Sequence, residues 1–278
     1  GCQTAQTFTI LEPDVLSVSG SVVGAHCGYN DGSASATVSG GTLPYVYVWS
    51  NGGNSSTVTA LNIGTYNVTV TDAKGCTAAD TVSIATMVDV PDICIVTVDS
   101  TSTKNQVVWE KPFAAMGIDS FRIYRNITGV YTLVGSQPYS TQSDFIDTTN
   151  GINPNTTSYK YKISAVDSCG NESAMSDFHK TIKLSIILGE LIWDNYQGFG
   201  FSNYYILRDS TGLGNWEVMD SVQNTNFLYS DPNPPQTGTV RYVMEVIPPS
   251  VCIAEKVKNY NSSKSNTSSI ANALTATA

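Results

Sequence analysis

The feature that most constrains this chain is that it repeats itself, with two different periods. Residues 1–10 (GCQTAQTFTI) match residues 75–84 (GCTAADTVSI) 74 positions later. Farther along, the segments 107–110, 121–125 and 145–147 each have a counterpart 83 or 84 positions downstream. Internal similarity at a constant spacing is typical of tandem domains, each of which buries its own core. We therefore expect a row of small domains and not one large fold.

Within the repeats, apolar and polar residues alternate over short runs. Six such runs follow one another between residues 13 and 87, with turn residues between them, and no segment shows the apolar period of a helix. The sequence therefore predicts an all-β chain of three tandem immunoglobulin-like sandwiches. The predicted division is 1–12 as the end of a preceding repeat, 13–89, 90–183 and 184–265 as the sandwiches, and 266–278 as a linker or tail.

Composition narrows the possible partners. Asp and Glu outnumber Lys and Arg by 23 to 14, the net charge is −9, and no basic stretch offsets it. A phosphate backbone or an anionic membrane surface would be repelled, so nucleic acid is not an expected partner. No apolar run approaches the roughly 20 residues of a membrane-spanning helix, so we predict no membrane span.

The first predicted sandwich resembles a known family. The relevant residues are Gly32-Ser33-Ala34, Pro44-Tyr45, Trp49-Ser50-Asn51-Gly52, Gly64-Thr65-Tyr66 and Thr71-Asp72-Ala73-Lys74-Gly75-Cys76. This pattern resembles the SprB repeats of the large gliding-motility adhesins of Bacteroidota. The resemblance implies an extracellular, outer-cell-surface location and secretion by the type IX route.

The two later units resemble fibronectin type III domains. Each has a strand tryptophan, Trp109 or Trp193, followed by an aromatic-rich third strand. Aligned at a spacing of 83, Tyr159 and Tyr242 open the sixth strand of each unit. The resemblance implies a sandwich of two antiparallel sheets for both units.

The six cysteines are widely spaced, with no Cys-x-x-Cys, which argues against zinc and favours disulfides in an oxidising compartment. Cys27 lies between the first two predicted strands and Cys76 between the last two, so we predict that they are bonded. Cys94 and Cys169 fall at the same end of the second sandwich and form the second predicted pair. Cys2 and Cys252 are interpreted as free thiols, with a bond to another chain as the alternative.

Four aromatic residues are candidates for contact with a ligand. Tyr45, Tyr47 and Trp49 alternate along one strand and could form a platform for sugar rings, although aromatic residues at this period more often belong to a core, which we favour. Trp216 follows a glycine-rich turn and is the aromatic residue most expected to be exposed.

Candidates for catalysis are sparse. His26 and His179 are the two imidazoles, and they fall in different predicted sandwiches, so a histidine-activated nucleophile would need a site between domains. We expect no catalytic residues, no cofactor and no metal. A structural calcium near residues 30–33 and Asp72 is the alternative, although the alternating acidic spacing of a calcium loop is missing.

Two functional hypotheses follow. The first is a non-catalytic structural or adhesive segment of a large secreted cell-surface protein or filament that serves adhesion, gliding or cell contact. Its partners would be other domains of the same long chain, further copies of the chain, surface glycans, or a host or prey cell surface. The alternative is a carbohydrate-binding accessory region of a secreted polysaccharide-degrading enzyme.

Overall fold

The computed structural model describes residues 6, 14–111, 117–235, 238–254 and 258–272. Over these residues the backbone forms antiparallel strand pairs and turns, with no helix, which confirms the predicted all-β class. The chain divides into two compact units, Gly1–Val88 and Asp89–Ala278. The segment 1–12, predicted to end a preceding repeat, lies outside the described residues except for Gln6.

The first unit is a sandwich of two three-stranded sheets. One sheet has the order β1 (Ser17–Val23), β2 (Gly32–Ser39), β4 (Thr57–Leu61), and the other has β3 (Val46–Trp49), β5 (Gly64–Thr71), β6 (Thr77–Ile84). Alternation along β5 shows how the core forms, because Val68 and Val70 are fully buried while Thr69 between them is exposed. Among the described residues, ten buried side chains form this core, nine from the two sheets and Ala25 from the segment between β1 and β2.

The second unit contains two further sandwiches with one topology. In the first of them β7 (Asp92–Val98), β8 (Asn105–Glu110) and β11 (Asp144–Asp147) form one sheet, in the order β11-β8-β7. The facing sheet has the order β10 (Val130–Pro138), β9 (Ile118–Ile127), β12 (Lys160–Asp167), β13 (His179–Lys180). We call this the second sandwich.

The third sandwich repeats that order. Its first sheet is β14 (Leu184–Ile187), β15 (Glu190–Trp193), β18 (Leu228–Ser230), and its second is β17 (Glu217–Gln223), β16 (Asn203–Asp209), β19 (Gly238–Val246), β22 (Ser263–Lys264). A hairpin of β20 (Cys252–Ala254) and β21 (Lys258–Tyr260) is inserted before β22, and β23 (Ser268–Asn272) also pairs with β19.

Strand β23 corrects the predicted tail. The segment 266–278 was expected to be a linker because it is rich in Ser, Asn, Thr and Ala, yet residues 268–272 pair with residues 238–242 of β19. The two-residue β22 covers only Glu245 and Val246 of β19. Strand β23 therefore supplies backbone partners to residues 238–242 of β19, which β22 does not reach. Residues 273–278 of the predicted tail lie outside the described residues.

An Arg–Asp–Tyr network recurs in both sandwiches of the second unit. Arg125 Nη1 and the Tyr161 hydroxyl each donate to Asp147 Oδ2 at 2.8 Å. In the third sandwich Arg208 Nη1 and the Tyr242 hydroxyl donate to Asp231 Oδ2 at 2.9 and 2.8 Å. Each network joins one sheet to the other, because the carboxylate comes from the segment that borders the opposite sheet.

The network also corrects the alignment of the two repeats. Tyr161 lies opposite Arg125, as Tyr242 lies opposite Arg208, so Tyr161 and not Tyr159 corresponds to Tyr242. Tyr161 and Tyr242 are 81 residues apart, so the alignment at a spacing of 83 is two residues out of register at this strand. A two-residue shift keeps every side chain on its own face of the strand, so alternation could not reveal it.

We predict that Asp147→Asn lowers the free energy of unfolding of the second unit by about 3 kcal/mol or more. The substitution removes the charge that compensates Arg125, and both side chains are buried. Urea unfolding followed by tryptophan fluorescence measures the loss. Asp119→Asn, at an exposed position of the same sandwich, is the control and should change stability by less than about 0.5 kcal/mol. Equal effects of the two variants would contradict the role of the network.

Candidate functional site: the junction of the second and third sandwiches

The alternating aromatic residues Tyr45, Tyr47 and Trp49, in and just before strand β3, face the core of the first unit. Trp49 is 2% exposed, and its Nε1 donates to the Ser55 carbonyl oxygen at 2.9 Å. Tyr45 and Tyr47 are partly buried and pack against the same core, and the Tyr45 hydroxyl donates to the Gly40 carbonyl oxygen at 2.6 Å. The hypothesis of a sugar platform is therefore wrong for these three residues. The outward-facing residues of the strand are valines.

The cysteine pairing differs from the prediction. Cys94 is bonded to Cys252, with 5.9 Å between their Cα atoms and a sequence separation of 158, and Cys76 is an exposed free thiol. The predicted pairs Cys27–Cys76 and Cys94–Cys169 are thus both wrong, as is a free Cys252. Cys27 and Cys169 are also disulfide-bonded. Cys2 lies outside the described residues.

A β-bulge explains why Cys94 is bonded to Cys252 and not to the predicted partner, Cys169. The register between β7 and β8 shifts between Ile93 and Ile95, so Cys94 is the extra residue on its strand. A bulge re-aims the side chain of the extra residue. Cys94 consequently meets Cys252 at the start of the inserted hairpin, where Cys252 is buried against Ile95 and Val108.

Hydrogen bonds connect the second and third sandwiches in addition to the Cys94–Cys252 bond, and we call this contact region the junction. Ser263 Oγ donates to the Val96 carbonyl oxygen at 2.6 Å, and the Lys264 amide donates to Thr97 Oγ1 at 2.9 Å. Farther along, the Thr267 amide donates to Ser102 Oγ at 2.7 Å. We call these three bonds the seam. They join strand β7 and the turn after it to the last strands of the third sandwich.

His179, on the last strand of the second sandwich, adds an aromatic contact to the junction. Its Nδ1 lies 3.1 Å from the Tyr196 hydroxyl, and its ring packs edge-on against Phe199. Gly198 allows this approach, because a Cβ at that position would lie 2.5 Å from the imidazole. Burial lowers the pKa of His179 to about 4, although the Asp177 carboxylate acts in the opposite direction. The imidazole is therefore neutral at pH 7.

Trp216 lies at the rim of the junction, on the loop between β16 and β17. The buried Asp209 carboxylate organises this loop by accepting from the amides of Thr211, Gly212 and Gly214. It also pairs with the Arg241 guanidinium, whose Cζ lies 5.5 Å from the centre of the Trp216 ring. Burial disfavours the charged carboxylate, but these bonds outweigh it and hold the pKa of Asp209 well below its usual range. Trp216 is half-buried.

A cleft of about 770 Å³ opens beside Trp216, between the second and third sandwiches. Val98 and Ile146 line it from one sandwich, and Leu207 and Val243 line it from the other. Polar residues from both sandwiches complete the lining: Thr97, Asp99, Ser100, Gln106, Glu245, Asn261, Ser262, Lys264, Ser265 and Thr267. Of the four candidate aromatic residues, Trp216 alone lines this cleft. The other lining residues have no common signature in the sequence, because they come from segments that are far apart along the chain.

The residues of the first unit that were considered for calcium or catalysis have partners within that unit. Asp31 accepts from the His26 amide at 2.9 Å and contacts His26 Nδ1 at 2.6 Å. Asp72 accepts from the amides of Thr42, Lys74 and Cys76. Partial burial raises the pKa of Asp72, but the amide bonds outweigh it and lower the pKa overall. Both carboxylates thus stabilise their own loops.

Comparison with known sequences identifies the first unit. Residues 19–54, which run from β1 past β3, match the family model of the SprB repeat. This segment is therefore similar to the SprB repeat. The predicted resemblance is confirmed, and SprB repeats occur in cell-surface proteins. None of the described residues belongs to a helix that is long and apolar enough to cross a membrane.

Two solved structures are among those similar to this chain. The crystal structure of the FN1-FN3 domains of chicken CNTN1 is 9% identical, covers 91% of this chain and 98% of its own, and has a TM-score of 0.31. A two-domain fibronectin type III segment of chicken tenascin is 18% identical, covers 66% and 99%, and has a TM-score of 0.26. No curated protein matches the chain. The fold assignment rests on the strand order described above.

We predict that the double substitution Cys94→Ser and Cys252→Ser lowers the free energy of unfolding of the second unit by about 3 to 5 kcal/mol. The disulfide closes a loop of 158 residues, and removing so long a closure restores much entropy to the unfolded chain. Guanidinium unfolding of the oxidised proteins measures the change. Cys76→Ser, at an exposed free thiol, is the matched control and should have no effect. A double variant as stable as the control would contradict the importance of the bond.

We predict that His179 makes the second unit less stable in mild acid. The unfolded chain binds a proton near the ordinary pKa of 6.5, whereas the folded chain does so only near 4. Stability should therefore fall as the pH drops through this window, by up to about 3 kcal/mol in total. His179→Phe should remove this component between about pH 7 and pH 5, measured by urea unfolding. An NMR titration that placed the pKa of His179 at its ordinary value would contradict the prediction.

Proposed function

We propose that this chain is a non-catalytic structural and adhesive segment of a large secreted bacterial cell-surface protein. The SprB repeat in the first unit supports the surface location. Type IX secretion and a role in gliding, cell contact or a filament belong to the same proposal. The other domains of the same long protein would be its immediate neighbours.

The observation that best supports a load-bearing role is the junction within the second unit. Two separate sandwiches are joined there by the Cys94–Cys252 bond and by the seam. A covalent bond between domains limits how far the chain extends when it is pulled. Such a junction suits a segment that transmits force between a cell and a surface.

A second candidate function is a carbohydrate-binding accessory region beside a catalytic module. The cleft at Trp216 favours this candidate, since it combines an aromatic ring with polar side chains. Tyr45 and Tyr47 do not support this candidate, because they pack against the core. Both candidate functions place the chain outside the cell.

We predict that deleting residues 89–272 from the full-length protein reduces attachment or motility of the cells while the protein still reaches their surface. Immunolabelling of intact cells measures exposure, and attachment under flow and cell tracking measure function. Replacing the deleted segment with two fibronectin type III domains of unrelated sequence separates the two roles. If the segment acts as a spacer, the unrelated domains should restore attachment and motility. If it makes a specific adhesive contact, they should not. A protein found only inside the cell, or unchanged attachment and motility, would contradict the proposal.

A further inference from the structure

The loop that carries Trp216 is built as a fixed support. Within residues 209–216 the Asp209 carboxylate accepts four hydrogen bonds, from Thr211 Oγ1 as well as from three backbone amides. The Arg241 guanidinium, which also binds this carboxylate, packs over the indole. Since these contacts order the loop before any ligand arrives, little conformational entropy remains to be lost at Trp216 on binding.

The surroundings of Trp216 supply both kinds of contact that a sugar needs. Apolar side chains form part of the cleft wall, and Leu207 and Val243 among them are buried. Asn261 provides an amide group, and Lys264 provides an ammonium group that lies 3.5 Å from Glu245 Oε1. Gln106 also lines the cleft, where its Nε2 donates to Asp144 Oδ2 at 2.9 Å. A sugar ring presents C–H groups on its faces and hydroxyls at its edge. An indole beside amide and carboxylate groups matches this division.

The charge and size of the cleft narrow the class of ligand. Asp99 and Glu245 line it against the single cation of Lys264, and the whole chain carries a net charge of −9. Anionic ligands such as uronic acid polymers or phosphates would therefore be repelled. A volume of about 770 Å³ lies in the range of small-molecule sites, on the order of 300–1,000 Å³. A short oligosaccharide fits this volume.

We propose that the cleft between the second and third sandwiches binds neutral oligosaccharides, with Trp216 as the stacking residue. The proposal rests on the proposed surface role for the source of the ligand, namely the glycans of a contacted surface. Asn261 donates hydrogen bonds to sugar hydroxyls, and Glu245 accepts them. Because both sandwiches line the cleft, the junction also fixes the geometry of the site.

The experiment titrates the purified, oxidised chain with cello-, manno- and xylo-oligosaccharides and with an anionic alginate oligosaccharide. Isothermal calorimetry gives the affinity, and tryptophan fluorescence reports on the site, since Trp49, Trp109 and Trp193 are buried while Trp216 is half-buried. We expect at least one neutral series to bind with a Kd of about 1 mM or tighter. Alginate should bind more weakly or not at all.

Variants test the assignment to Trp216. Trp216→Ala should weaken binding by about tenfold or more, whereas Trp216→Phe, which keeps an aromatic face, should lose only part of the affinity. Leu213→Ala is the matched control, because Leu213 is exposed on the same loop and does not line the cleft. Asn261→Ala is a second probe, in a different segment of the cleft lining, should Trp216→Ala disturb the loop.

Several results would overturn the proposal: no binding of any neutral series, preferential binding of alginate, or unchanged affinity in both Trp216→Ala and Asn261→Ala. These outcomes leave the surface role intact, because that role is measured on cells by exposure and attachment. Conversely, a chain that binds neutral oligosaccharides in solution but remains inside the cell would contradict the surface role alone.

Discussion

The structure of the second unit depends on one short segment, residues 263–267, which is bonded on two sides. Ser265 Oγ accepts from the Met244 amide, and Asn266 Oδ1 accepts from the Leu184 amide, so this segment completes the third sandwich. Within the same segment, Ser263, Lys264 and Thr267 form the seam with the second sandwich. The Cys94–Cys252 bond holds the same two sandwiches together. Two domains that each have a core are thereby coupled into one compact unit.

The two sandwiches share a strand order and the Arg–Asp–Tyr network, and one of their differences is the loop between the third and fourth strands. In the second sandwich β9 and β10 are joined by Thr128 and Gly129, both with positive φ, as in a tight hairpin. In the third, the equivalent strands end at Asp209 and resume at Glu217. The longer connection carries Trp216 to the cleft. A repeated scaffold with one altered loop is a common way to place a binding residue on a rigid support.

Much of the fold could be predicted because it depends on local patterns. Alternation and turn residues predicted the all-β class, and the motif between residues 32 and 76 predicted the SprB repeat. Strand β23 was missed because its Ser- and Asn-rich sequence is equally typical of a linker. The shift between Tyr159 and Tyr161 was missed because two residues is the period of a strand.

The candidate site was predicted less well than the fold, because it depends on contacts between residues that are far apart in the sequence. The pairing of Cys94 depends on a bulge and on a hairpin inserted 158 residues later, and neither has a local signature. The role of His179 depends on Gly198 in the next sandwich, which allows the rings to approach. Trp216 was singled out as an exposed aromatic residue, but its support by Asp209 and Arg241 required the folded loop.

Native-state hydrogen exchange at the seam tests most directly whether the second and third sandwiches form one unit that opens cooperatively. The amide protons of Lys264 and Thr267 donate across the seam, so they report on its opening. If the two sandwiches open only together, these amides exchange as slowly as those of the core strands β12 and β19. Exchange at these two positions that is orders of magnitude faster, with the cores still protected, would show that the sandwiches separate freely and would contradict the account.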